Sequence, residues 1–224
     1  MFAYCENNPV NAVDPTGEDA WWLQDTNAVF GCGHTSLLIQ ESKGKWWYFY
    51  WGPNEIRLIY IGTCSLYSLN ELLTGKKDKS GDYYYHEWYD SYIKIQGNFY
   101  QSLEYIARLF GKSFSAIKNS KDGYCKGYSV HKNSAYNLIT NNCMQVSTDA
   151  LMRGFFYYYE NTYKRALQLV RLYTVPNGAY AFLKSVGGCI SFYKTASHGM
   201  IARYVSPMIL AIAKSRGIWW LRRF

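Results

Sequence analysis

The chain has 224 residues and a mass of 26.0 kDa, enough for one sizeable domain with its own core. Its hydrophobic share of 49 % is that of an ordinary folded protein, and its 19 % of aromatics, with 23 tyrosines, is high. The net charge of +8 is uneven: residues 1–111 carry 8 Lys and Arg against 13 Asp and Glu (−5), and residues 112–224 carry 16 against 3 (+13). The N-terminus lacks the charged and apolar regions of a signal peptide, and no apolar run reaches the length of a membrane span. No phosphate loop, paired-carboxylate glycosidase signature or nuclease-like histidine cluster stands out, and no nucleic-acid partner is expected.

Residues 1–17 are turn punctuation, with Asn8-Pro9, Asp14-Pro15 and Gly17 within a dozen positions. Pro9, Asp14, Pro15 and Gly17 resemble the end of the Rhs/YD-repeat core, whose signature is Pro-x4-Asp-Pro-x-Gly. That resemblance implies a boundary between an encapsulating shell and a C-terminal toxin, released by cleavage nearby. It further implies the Rhs shell and a cognate immunity protein as partners, and secretion or delivery into a target cell. The expected division is 1–17 as boundary tract, 18–160 as the effector domain, and 161–224 as a basic helical extension.

After the tract, Trp21-Trp22-Leu23-Gln24 leads to the first strong pattern. Gln24 is a candidate amide donor to an oxyanion. Gly33-His34-Thr35-Ser36-Leu37-Leu38-Ile39 predicts a strand with His34 at its mouth, Ser42 to Lys45 a turn, and Trp46 to Trp51 a second strand ended by Gly52-Pro53. Pairing residue 42 with 45 sets 34 opposite 53, which makes Asn54 the nearest polar neighbour of His34 and Glu55 its rival. Residues 56–61 predict a strand and 66–73 a short helix. A solvated loop over 75–82 comes next, then a strand over 83–95 that carries His86. Phe99, Leu103, Ile106 and Phe110 have helical spacing, and 112–134 is Lys-, Ser- and Gly-rich, with His131 expected to be exposed.

Tyr136 to Thr140 reads as extended, Asn141-Asn142 as a helix cap, and Val146, Ala150 and Leu151 as the inward face of the helix that follows. Cys143 then lies in the first turn, where free amides and the helix dipole favour a thiolate. Further helices are expected over 163–173, ended by Pro176, over 179–186 and over 208–214. The six cysteines form no CxxC pair and read as mostly reduced. Cys32-Gly33-His34 lacks the second ligand pair that a zinc knuckle needs, so neither metal nor cofactor is expected.

A thiol enzyme needs an imidazole to take a proton and a thiolate to attack. "GHTSLLI…WYFYWG" followed by "YNLITNNC" resembles the circularly permuted papain-like superfamily of cell-wall amidases, deubiquitinase-like peptidases and lecithin-retinol-acyltransferase-like enzymes, over roughly residues 20–155. The resemblance implies an α+β fold, a small antiparallel sheet whose His-bearing hairpin packs on a Cys-capped helix. It makes Cys143 the nucleophile and His34 the general base, with Asn54 as third member and Gln24 and Asn142 as oxyanion support. The implied activity is hydrolysis of a peptide bond, a glutamine side chain or a peptidoglycan cross-link. Two alternatives stand beside it: acyl transfer or lipid-ester cleavage by the same chemistry, and a non-enzymatic cationic toxin. The basic, aromatic C-terminal part offers contact with an anionic membrane.

Overall fold

The computed structural model describes residues 19–75, 89–95, 99–154, 167–171 and 173–187. The boundary tract, His86 and the helix expected over 208–214 lie outside these residues. An antiparallel sheet of seven strands, in the order β5-β1-β2-β3-β4-β7-β6, forms the centre of an α+β fold. The strands are β1 (Ala20–Asp25), β2 (His34–Ser42), β3 (Lys45–Trp51), β4 (Glu55–Tyr60), β5 (Ser91–Ile95), β6 (Lys121–Asp122) and β7 (Cys125–His131). The helices are a single turn α1 (Ala28–Gly31), α2 (Leu69–Thr74), α3 (Tyr100–Leu109), α4 (Phe114–Lys118), α5 (Cys143–Gly154) and α6 (Pro176–Gly187).

Side-chain alternation divides the sheet into two faces. Trp22, Leu37, Ile39, Trp47, Phe49 and Leu58 stand on one, buried under α3, α4, α5, residues 167–170 and α6. Leu23, Leu38, Tyr48 and Ile59 stand on the other, beneath Tyr67, Leu72 and Tyr89. Leu103, Ile106 and Ala107 bury one side of α3, as the helical spacing predicts. Residues 167–187 share the core of the sheet, so a single hydrophobic interior runs from Ala20 to Leu183.

Several expectations need correction. The sheet is larger than the hairpin implied: within 112–134, Ser113 caps α4, and β7 pairs with β4 from Glu55 to Ile59. Tyr136 to Thr140 is not extended. Asn137 and Asn141 exchange backbone hydrogen bonds, and Asn137 Oδ1 accepts the amides of Ile139 and Thr140, closing a turn in place of a strand. Pro176 does not end a helix but opens α6, where its missing amide hydrogen costs nothing. Among the described residues two cysteines are oxidised: Cys64, just beyond β4, is disulfide-bonded to Cys125 at the start of β7, and both are buried. Cys32 and Cys143 are free.

Candidate active site

Two segments meet at one end of the sheet. The first runs from β1 to β2. Asp25 Oδ1 accepts the amides of Asn27 and Ala28, and Asp90 accepts the Thr26 amide at 3.2 Å, so the chain turns sharply through α1. Val29 and Phe30 both have positive φ there, a costly conformation for a branched or bulky residue, and both are exposed. Gly33 follows at φ +88°, and a Cβ at this position would overlap Gln24 Nε2 and the Asn177 side chain. Only glycine fits, and that fixes the direction in which His34 leaves the turn.

The second segment leads to Cys143. Asn142 is the helix N-cap: its Oδ1 accepts the Gln145 amide at 3.1 Å, and Gln145 Oε1 accepts the Asn142 amide at 3.0 Å, a reciprocal capping box. Asn142 Nδ2 also donates to the carbonyls of Leu138 and Thr174. The Asn142 side chain is therefore engaged in holding the loop and the helix, not directed at an oxyanion. Trp51 Nε1 donates to the Asn141 carbonyl at 3.1 Å, tying the loop to the end of β3. Cys143 thus occupies the first helical position, buried, with the backbone amides of Thr35, Met144 and Cys143 itself near enough to pull its pKa down against the effect of burial.

The Thr35 amide belongs to the residue next to His34, so the thiol lies against the mouth of β2. The imidazole stands on the other face. His34 Nε2 is 3.3 Å from Ser36 Oγ, and its ring packs on Tyr50 with centroids 4.9 Å apart. Thr35 and Leu37 point instead to the face that α5 covers. Tyr136 bridges the two sides, lying close enough to both Cys143 and Tyr50 for their charges, after burial, to push its phenol pKa up. No hydrogen bond joins thiol and imidazole among the described residues. Burial pushes the Cys143 thiol up to about 11, against the pull of the three amides, and the same cause pushes His34 down to about 4. At rest both groups are neutral.

No family model, curated protein or solved structure matches this chain. The site's own geometry carries the argument. Gln24 is fully buried, accepting from Thr35 Oγ1 at 2.8 Å and Trp22 Nε1 at 3.2 Å and donating to Asn177 Oδ1 at 2.9 Å. Its amide braces β1, β2 and α6 together. Asn54 is exposed in the β3–β4 turn, where its carbonyl accepts the Lys132 amide. The predicted hairpin register slips because a bulge between Gln40 and Ser42 brings Leu37 opposite Phe49, which extrapolates to Gly52, not Pro53, opposite His34. Glu55 pairs with Arg57 and lies 3.8 Å from His131 across β4–β7. Ser36, on the same strand, has its hydroxyl 3.3 Å from His34 Nε2, and Asp25 is the cross-strand partner of His34 in β1.

Asn177 had no signal in the sequence. From the first turn of α6 its Nδ2 donates to the carbonyls of Thr26 and Gly31, each at 2.8 Å, and its backbone amide donates to the Cys32 carbonyl at 3.0 Å. It clamps the turn that delivers His34. Among the described residues no three His, Cys, Asp or Glu side chains are placed to hold a metal ion.

Proposed function

We propose that the chain is a thiol hydrolase of the permuted papain-like kind, the effector part of an Rhs-associated toxin. The observation that carries this reading is a buried cysteine at the first position of a capped helix, where backbone amides near the sulfur favour the thiolate, beside a histidine strand. Amides so placed stabilise a thiolate, and after attack they are positioned near a developing oxyanion. The resting thiol is protonated, so the reaction starts when substrate enters and the His34 ring leaves Tyr50 to reach the sulfur. The sulfur's proton passes to the imidazole and the thiolate attacks an amide or ester carbonyl. The imidazolium then returns that proton to the leaving group as the acyl-enzyme thioester forms. Water, deprotonated by the neutral imidazole, releases the acyl group and restores the thiol.

The substrate class in this reading is a protein amide or a peptidoglycan cross-link. A second reading, acyl transfer or cleavage of a lipid ester, is favoured by a specific observation. Phe30, Leu138, Ile139 and Val175 are exposed apolar residues, and all lie on the three segments that Asn142 and Asn177 gather around the thiol. The deciding experiment expresses wild type and Cys143→Ala in bacterial cytoplasm and periplasm. Loss of toxicity in the variant is expected, and its retention overturns both readings. Killing confined to the periplasm selects the cell wall, and acyl-chain release from vesicles selects the lipid ester.

A further inference from the structure

The imidazole has a polar partner that the sequence reading did not propose. On the sheet face opposite α5, Ser36 Oγ lies 3.3 Å from His34 Nε2. Tyr89 Oη donates to Ser36 Oγ at 2.6 Å, and Tyr48 and Tyr89 hydroxyls are 2.6 Å apart. All three hydroxyl residues are fully buried or nearly so. They come from β2, from β3 and from the residues just before β5, so the chain of hydroxyls is assembled by the fold and not by local sequence.

We propose that this buried relay, Tyr48–Tyr89–Ser36, is the orienting device of the His34 imidazole, fixing which ring nitrogen bears the proton. The proposal rests on the reading of His34 as the catalytic base, with Ser36, Tyr89 and Tyr48 as positioning residues. Direction follows from proton count. Tyr89 spends its one hydroxyl proton on Ser36, so the short contact to Tyr48 is one that Tyr48 donates. Ser36 accepts from Tyr89 and keeps its own proton, which the proposal gives to Nε2. The neutral ring then carries its proton on Nδ1. A neutral hydroxyl holds the ring without charge, where a carboxylate would favour the imidazolium.

The relay runs in either sense without losing a proton: the ring exchanges one with solvent and the hydroxyls rotate about their C–O bonds. In the reverse sense Nε2–H donates to Ser36, and Nδ1 is left without a proton, ready to accept that of the thiol once the ring swings from Tyr50 toward the sulfur. The resting direction therefore keeps the base silent, and reversal arms it. Other groups face the same ring: Asp25 across β1, with Oδ1 bonded to two backbone amides; Tyr50 on β3; and Arg57 on β4, 6.0 Å from the Tyr50 ring and paired with Glu55. Cys143 and Tyr136 close the other side.

The test is the 15N spectrum of His34 in the whole chain, recorded across pH for wild type, Ser36→Ala, Ser36→Thr, Tyr89→Phe and Asp25→Asn. Wild type is expected to show a single neutral tautomer with the proton on Nδ1. Ser36→Ala releases that preference and moves the titration midpoint upward toward the ordinary 6.5. Tyr89→Phe moves it in the same direction by less, and Ser36→Thr, which keeps the hydroxyl, restores the wild-type tautomer. A wild-type ring protonated on Nε2 overturns the proposal. So does a tautomer that follows Asp25→Asn and ignores Ser36→Ala. The readout needs no enzymatic activity, so Cys143→Ala toxicity decides the hydrolase reading separately.

Discussion

With the thiol raised to about 11 and the imidazole lowered to about 4, the resting protein keeps its proton on sulfur at every pH between those values. Iodoacetamide at pH 7.5 is therefore expected to alkylate the exposed Cys32 well before Cys143 in the native chain. The Cys143 rate climbs only as the pH approaches 11, as peptide mass spectrometry would record; equal labelling at neutral pH would contradict the buried, neutral thiol. Stability follows the same two groups with opposite signs. His34 titrates at about 4 when folded against 6.5 ordinarily, so the unfolded chain binds the extra proton as pH falls from 6.5 to 4, and stability drops across that window. His34→Gln should remove this drop, seen as a smaller decrease in urea midpoint between pH 7.5 and pH 4.5. Cys143 titrates above its ordinary 9.0, so its contribution is complete below pH 9 and is lost as pH rises toward 11; Cys143→Ala should flatten that alkaline decline.

At the scale of single elements, the helix that carries the thiol depends on one asparagine. Asn142→Ala removes a cap and leaves the Leu138 and Thr174 carbonyls without their donor, at an expected cost of about 2–3 kcal/mol. Gln145→Ala, which breaks only the return arm of the capping box and a bond to the Ile139 carbonyl, should cost about 1 kcal/mol. Chemical denaturation of the two variants measures the difference. The cap, the inward face of Val146, Ala150 and Leu151, and both strands of the His34 hairpin were legible, because each is written in neighbouring residues. The bulge at Gln40 was not. A single extra residue near the end of a strand leaves the apolar alternation intact yet moves every partner along by one, and so Pro53, with Asn54 beside it, was read opposite His34 where Gly52 stands.

Across the whole molecule, pairings between distant segments were the illegible part. β7 meets β4 some 70 positions earlier, Cys64 meets Cys125 across 61, and Tyr89 reaches Ser36 across 53, with nothing in local composition to announce any of them. The disulfide closes a loop long enough to be worth about 4 kcal/mol through the unfolded chain's lost freedom. Reduction by dithiothreitol, or the paired change Cys64→Ala with Cys125→Ala, should lower stability by about that amount while sparing the mouth of β2, at the opposite end of β4. Such a bond persists where thiols are oxidised, so the place of folding bears on how firmly the sheet is closed.

Asn177 makes the mouth of β2 wait for a distant part of the chain. Its link to Gln24 spans 153 positions, and two of the carbonyls that it holds belong to the turn just before His34. Contacts so remote in sequence form late, since chain entropy must be lost before they return anything. A nascent polypeptide that has produced every residue from His34 to Cys143 still lacks the anchor that aims the histidine. A truncation after residue 175 should accordingly keep a sheet yet lose the clamp on the turn before His34 and, with it, the proposed hydrolase activity.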